Sequence, residues 1–201
     1  MKRILIALSI LLCHVSFSFA GDNAKDVLDK CAAKVSAKEG ISANFTMESA
    51  QYGSASGTIA VKGRKFHAKT PIAVMWYDGA TQWTWLEKNN EVSVTTPTET
   101  QQQAINPYNF INMYKKGFDY TMSTSGSSYV VHLTASDPKR KVQEMFITID
   151  KNSYAPTEVK MRQGSKWTRF VISQLKVQNL SDSEFVFNSK DFPTAEVIDL
   201  R

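Results

Sequence analysis

Over residues 22–38, Val27, Leu28, Cys31 and Val35 recur at three- and four-residue spacing, so they share one face of a predicted amphipathic helix. Asp22 or Asn23 is placed to cap its start, and Gly40 supplies the left-handed residue that stops it. From Gly40 the period drops to two. Ile41, Ala43, Phe45 and Met47 alternate with Ser42, Asn44, Thr46 and Glu48, the pattern of a half-buried strand. Residues 53–57 read as a turn into a strand over 58–62, and a strand over 65–69 ends at Thr70-Pro71, because proline cannot donate to a ladder. Asp78-Gly79 between residues 74–77 and 81–86 signals a hairpin, and Asn89-Asn90 turns the chain into a strand over 91–96. Asn106-Pro107 looks like a cap followed by proline at the first turn of a short helix, which Gly117 ends. Further strands are expected at 118–123, 128–134, 142–150, 157–163 and 167–177, then one helical turn at 182–184, a short apolar run at 185–187 and an extended tail from 191. Roughly eleven short strands with little helix describe one antiparallel, mainly β domain.

Composition narrows the chemistry. Lys2-Arg3, an apolar run over residues 4–15 and Ser18-Phe19-Ala20 form the positive, apolar and small-x-small parts of a secretory signal peptide. The expected division is a signal peptide over residues 1–20 and one domain over 21–201, with the net charge falling from +5 to +3 once Lys2 and Arg3 are removed. Only Cys31 then remains, which excludes an intrachain disulfide and a cysteine metal cluster, and it reads as a small buried apolar residue. Two histidines, His67 and His132, are too few for most zinc or Ser-His-Asp sites, and both read as solvent-side strand residues. Thinly spread positive charge gives no stripe for nucleic acid. Gly53-Ser54-Ala55-Ser56-Gly57 has alanine where a nucleophile elbow needs serine, and Asp150-Lys151-Asn152 opens a hairpin turn rather than a calcium loop, because Ala155 and Met161 replace its glycine and glutamate. No cofactor, metal or catalytic residue is expected.

What stands out is the apolar inventory on the strands: Phe45, Met47, Phe66, Met75, Trp76, Trp83 and Trp85, then Met122, Met145, Phe146, Met161, Trp167 and Phe170. A filled sandwich core accounts for such a set. So does a sheet curled around a cavity lined by adaptable methionine and aromatic side chains, with the apolar helix after Pro107 over its mouth. Periodicity does not separate the two.

The order of features does. The amphipathic helix, the strand through Ile41, Phe45 and Met47, Gly57-Thr58-Ile59-Ala60-Val61-Lys62, Arg64-Lys65-Phe66, Pro71, the hairpin Tyr77-Asp78-Gly79-Ala80-Thr81-Gln82-Trp83-Thr84-Trp85, Asn106-Pro107, Phe118-Asp119-Tyr120 and Phe185-Val186-Phe187 together resemble the LolA-type periplasmic carriers of outer-membrane lipoproteins. The resemblance implies an unclosed antiparallel β half-barrel with an N-terminal helix and a short helical lid, not an enzyme, that holds lipoprotein acyl chains. It implies a monomer in the periplasm that takes lipidated proteins from an inner-membrane ABC-type exporter and passes them to an outer-membrane acceptor. The expected acyl cavity and lid residues are Phe45, Met47, Phe66, Trp76, Trp83, Trp85, Phe110, Ile111 and Met113. Arg64 matches the arginine with which the family holds its lid, although Lys62-Gly63-Arg64-Lys65-Phe66 departs from the family's usual Lys-Arg-Pro. The alternatives are a half-barrel binding another lipid or a glycolipid, a lipid-sensing regulator, a β-sandwich with a solid core, and an enzyme built from scattered acids.

Overall fold

A computed structural model describes residues 22–51, 53–98, 101 and 112–201. The expected signal peptide, Phe110 and Ile111 lie outside the described residues, as does nearly all of the expected lid helix. The chain begins with α1 (Ala24–Val35), whose cap Asn23 accepts a hydrogen bond from the Asp26 amide. The helix is shorter than its apolar period suggests, because Ser36 closes it onto the Ala32 carbonyl. Gly40 follows at φ +102, where a Cβ would come within 2.7 Å of Leu180.

Twelve strands then form one sheet: β1 (Ile41–Ser49), β2 (Gly53–Lys62), β3 (Lys65–Lys69), β4 (Ala73–Tyr77), β5 (Gln82–Leu86), β6 (Glu91–Thr95), β7 (Phe118–Ser125), β8 (Ser128–Ala135), β9 (Glu144–Asp150), β10 (Pro156–Gln163), β11 (Lys166–Val177) and β12 (Glu196–Asp199). Their order is β12-β6-β5-β4-β3-β2-β1-β11-β10-β9-β8-β7, so the sheet is open at β12 and β7. Most strand positions agree with the alternation read from sequence. Residues 53–57 do not: they continue β2 rather than forming a turn, since small residues pair with β1 as well as larger ones do. The tail also departs from expectation. Phe185 closes a 3-10 turn rather than starting a strand, and β12 runs parallel to β6, so the sheet is not wholly antiparallel.

The sheet has to curl. Tyr77 on β4 and Val131 and Leu133 on β8 belong to one core with Val27, Leu28, Cys31 and Val35 of α1. Those strands are seven places apart, roughly 34 Å in a flat sheet, whereas a twelve-residue helix is about 18 Å long. A curled sheet, with β7 and β8 against α1 and Tyr77 of β4 joined to the same core, is an unclosed half-barrel with α1 on its inner face. The curl is tight at Gly57, where a Cβ would stand 1.9 Å from the Lys69 carbonyl oxygen. Polar contacts fix the helix from outside the core: Tyr154 donates to Asp22 at 2.6 Å, Lys30 pairs with the same carboxylate at 2.7 Å, and Tyr114 donates to Asp29. Lys30 and Tyr154 together hold the Asp22 carboxyl below the ordinary carboxylate range.

Candidate functional site

Residues directly opposite in an antiparallel ladder point to the same side, so the strand register assigns every side chain to a face. Starting from the residues that touch α1, one face runs Val131 to Ile147 to Val159 to Phe170 to Met47 to Ala55, and in the next row Ile172 to Phe45 to Gly57. It continues through Ile41 to Val61 to Phe66 to Tyr77, and through Ile59 to Ala68 to Met75. This inner face is almost wholly apolar from β7 to β4.

Its burial is uneven. Val61, Phe66, Tyr77, Val131, Leu133, Met145, Ile147 and Val159 are at most 5% exposed and form the packed core beneath α1. Phe45, Met47, Ile59, Ala68, Met75, Phe170 and Ile172 lie on the same face but are only half-buried. A contiguous apolar floor therefore extends beyond the closed core across β11, β1, β2, β3 and β4. Met47 and Met75, unbranched and soft, stand on either side of it, a composition suited to ligands of variable shape.

Of the sequence-predicted lining, Phe45 and Met47 lie on this floor. Phe66 shares the face but is 2% exposed, packed with its ring centroid 5.6 Å from that of Tyr77, and so belongs to the closed core. Met113 opens a 3-10 turn (Met113–Lys115) and packs half-buried against that core. Trp76, Trp83 and Trp85 require a correction. Trp76 pairs with His67 and Trp83, and Trp85 pairs with Val74 and Val92, which puts all three on the outer face. There the C-terminal segment covers Trp76 and Trp85: Phe187 and Phe192 stand 5.5 and 5.4 Å from Trp76, and Phe192 5.2 Å from Trp85. Val74, Trp76, Val92, Val94 and Phe185 thus make a second buried layer outside the main core. The tail is held by the β12–β6 ladder, by Lys62 donating to the Leu180 carbonyl at 2.8 Å, and by Asp182 between Lys62 and Lys65 at 3.1 and 3.0 Å.

The histidines are not plain solvent residues. His67 lies under the tail, stacked on Trp76 at 5.4 Å, and burial lowers its pKa. His132 stacks on Phe146 at 4.2 Å and meets Glu144 at 2.8 Å, and Arg162 with His132 holds that carboxyl below its ordinary range. Cys31 is fully buried, and burial pushes its thiol up to about 12. Arg64 is exposed in the two-residue turn between β2 and β3. Among the described residues no cluster of His, Cys, Asp or Glu could hold a metal ion, and no helix is long and apolar enough to cross a membrane.

The inner half of β5 and β6 escaped the sequence reading. Tyr77 pairs with Gln82 and Met75 with Thr84, and these pair in turn with Thr95 and Ser93. Apart from the exposed Leu86 at the end of β5, the polarity of these two strands is reversed: apolar residues face outward and polar ones face inward. The signal was present, because Gln82, Thr84, Ser93 and Thr95 alternate with Trp83, Trp85, Val92 and Val94. What sequence lacked was a second apolar layer to absorb the tryptophans.

Comparison with known proteins agrees with this architecture. The family model described as outer membrane lipoprotein carrier protein LolA matches residues 14–165, leaving β11 and the tail outside the match. No curated protein sequence matches the chain. Among solved structures, an uncharacterized conserved protein from Thermus thermophilus superposes with a TM-score of 0.58 at 12% identity, over 88% of this chain and 98% of that one. A LolA superfamily protein from Nitrosomonas europaea gives a TM-score of 0.45 at 10% identity, over 83% and 99% of the two chains. The Mycobacterium tuberculosis lipoprotein LppX gives 0.43 at 11% identity, over 79% and 98%.

Proposed function

The chain belongs to the family of the outer membrane lipoprotein carrier protein LolA, and from that premise we propose that it carries acylated proteins across the periplasm, holding their acyl chains on the inner apolar floor of the half-barrel. The observation that supports this reading is the half-buried surface of Phe45, Met47, Ile59, Met75, Phe170 and Ile172, continuous with the closed core yet not consumed by it. A bilayer-anchored acyl chain loses about 0.8 kcal/mol per methylene when exposed, so a chain of roughly fifteen carbons does not cross water unaided. A carrier replaces those contacts while binding loosely enough for an acceptor to win. In this reading residues 1–20 are a secretory leader, an inner-membrane ABC-type exporter loads the carrier and an outer-membrane acceptor unloads it. Arg64 is the residue that regulates release.

The test is a release assay. Inner-membrane vesicles containing acylated lipoproteins are incubated with the protein lacking residues 1–20 and the relevant exporter, then sedimented. The supernatant should hold a stoichiometric carrier–lipoprotein complex. Met47→Asp, which puts a charge on the floor, should reduce capture more than tenfold at unchanged circular dichroism. Arg64→Leu should capture normally and release at an altered rate. Capture by Met47→Asp equal to the wild type would remove the floor from the mechanism.

A further inference from the structure

The polar inner side of β5 and β6 adjoins the apolar floor: Gln82 sits beside Tyr77, and Thr84 beside Met75. Gln82, Thr84, Ser93 and Thr95 are half-buried, and Ile198 of β12 flanks Ser93. Gln82 donates through Nε2 to Thr84 Oγ1 at 3.2 Å, whereas its Oε1 is buried with no hydrogen-bond partner among the described residues. With the amide nitrogen held by Thr84 Oγ1, the group left without a partner is the carbonyl oxygen, an acceptor. A buried amide group without a partner is unfavourable unless something else supplies the bond. The inner side of β5 and β6 carries no lysine or arginine, and its one charge is Glu91, next to the β5–β6 turn. Phosphate or a free carboxylate would find no cation on these strands and would face that carboxylate.

Resting on the acyl-binding reading, we infer that the strip Gln82, Thr84, Ser93 and Thr95 receives the headgroup end of the bound amphiphile, and that the preferred ligand carries an uncharged group with an N–H or O–H donor, as an acyl amide or a glyceride hydroxyl does. The acyl chain lies on the Met47–Met75 floor, and the donor satisfies Gln82. The sheet thereby distinguishes an acylated polar molecule from plain hydrocarbon and from an anionic lipid.

Displacement of an uncharged dansyl-labelled fatty alcohol from the full protein tests this, with monopalmitoylglycerol, methyl palmitate and palmitoyl lysophosphatidic acid as competitors of equal chain length. The wild type should bind monopalmitoylglycerol about tenfold more tightly than methyl palmitate, and lysophosphatidic acid most weakly. Gln82→Leu and the isosteric Thr84→Val should bring the first ratio close to one while leaving methyl palmitate binding unchanged. Should Gln82→Leu fail to fold, Thr84→Val and Ser93→Ala carry the comparison. An unaltered ratio in the folded variants, or preferred binding of lysophosphatidic acid, overturns the headgroup assignment and leaves the apolar floor intact. Failure of the wild type to bind any of the three overturns the floor itself.

Discussion

His67 and Phe66 are neighbours in sequence, yet one lies in each buried layer of the sheet. Burial against Trp76 lowers the His67 pKa from its ordinary 6.5; Glu184 opposes the shift and Lys69 adds to it. Because the unfolded chain then binds the proton more readily, stability from the neutral ring is complete above about pH 6.5. It falls as pH drops below that value and levels off beneath the folded pKa. Between about pH 8 and pH 5 the urea midpoint of the wild type should therefore fall further than that of His67→Phe, which keeps the ring stack without the proton. Equal falls would show that the imidazole does not titrate against the tail. Cys31 follows the same logic: a thiol pushed up to about 12 in a buried site should react with a thiol reagent only as fast as the protein unfolds.

At the scale of elements, the period of two placed β1, β3 and β8 to β11 close to where they lie and separated an apolar from a polar side in β1 and β8, but which side turns inward is set by the register across the whole sheet. β4 and β5 were legible as strands but not as faces. β4 is apolar on both sides, and Trp83 and Trp85 are the bulkiest residues of β5, so period two gives the alternation without saying which parity points inward. The answer lies in the tail, far away in sequence: Phe187 and Phe192 create an outer layer that the strands themselves do not announce. The parallel pairing of β12 on β6 was illegible for the same reason, being a contact between residues about a hundred positions apart. This division of labour predicts that Trp76→Ala destabilises the fold by about 3–5 kcal/mol, as removal of a buried aromatic does, without changing acyl affinity in the folded fraction. Denaturant titration alongside probe binding checks it, and a weakened affinity at unchanged stability would place Trp76 in the binding surface after all.

For the whole molecule, the half-barrel divides its apolar residues into three uses. Val27, Leu28, Cys31, Val131 and Ile147 close the core under the helix, Val74, Trp76 and Phe185 hold the tail, and Phe45, Met47, Met75 and Phe170 are the half-buried set to which the proposed function assigns the ligand. Under the proposed function, stability and binding rest on different residues, so that cargo exchanges on the third set while the first two keep the sheet curled. Photo-crosslinking with a diazirine-bearing fatty acid, followed by peptide mass spectrometry, reads this partition directly. Adducts are expected on Phe45, Met47, Met75 and Phe170. Adducts concentrated on Trp76, Trp85, Phe187 or Phe192, or saturable binding with no adduct on the inner floor, would contradict it.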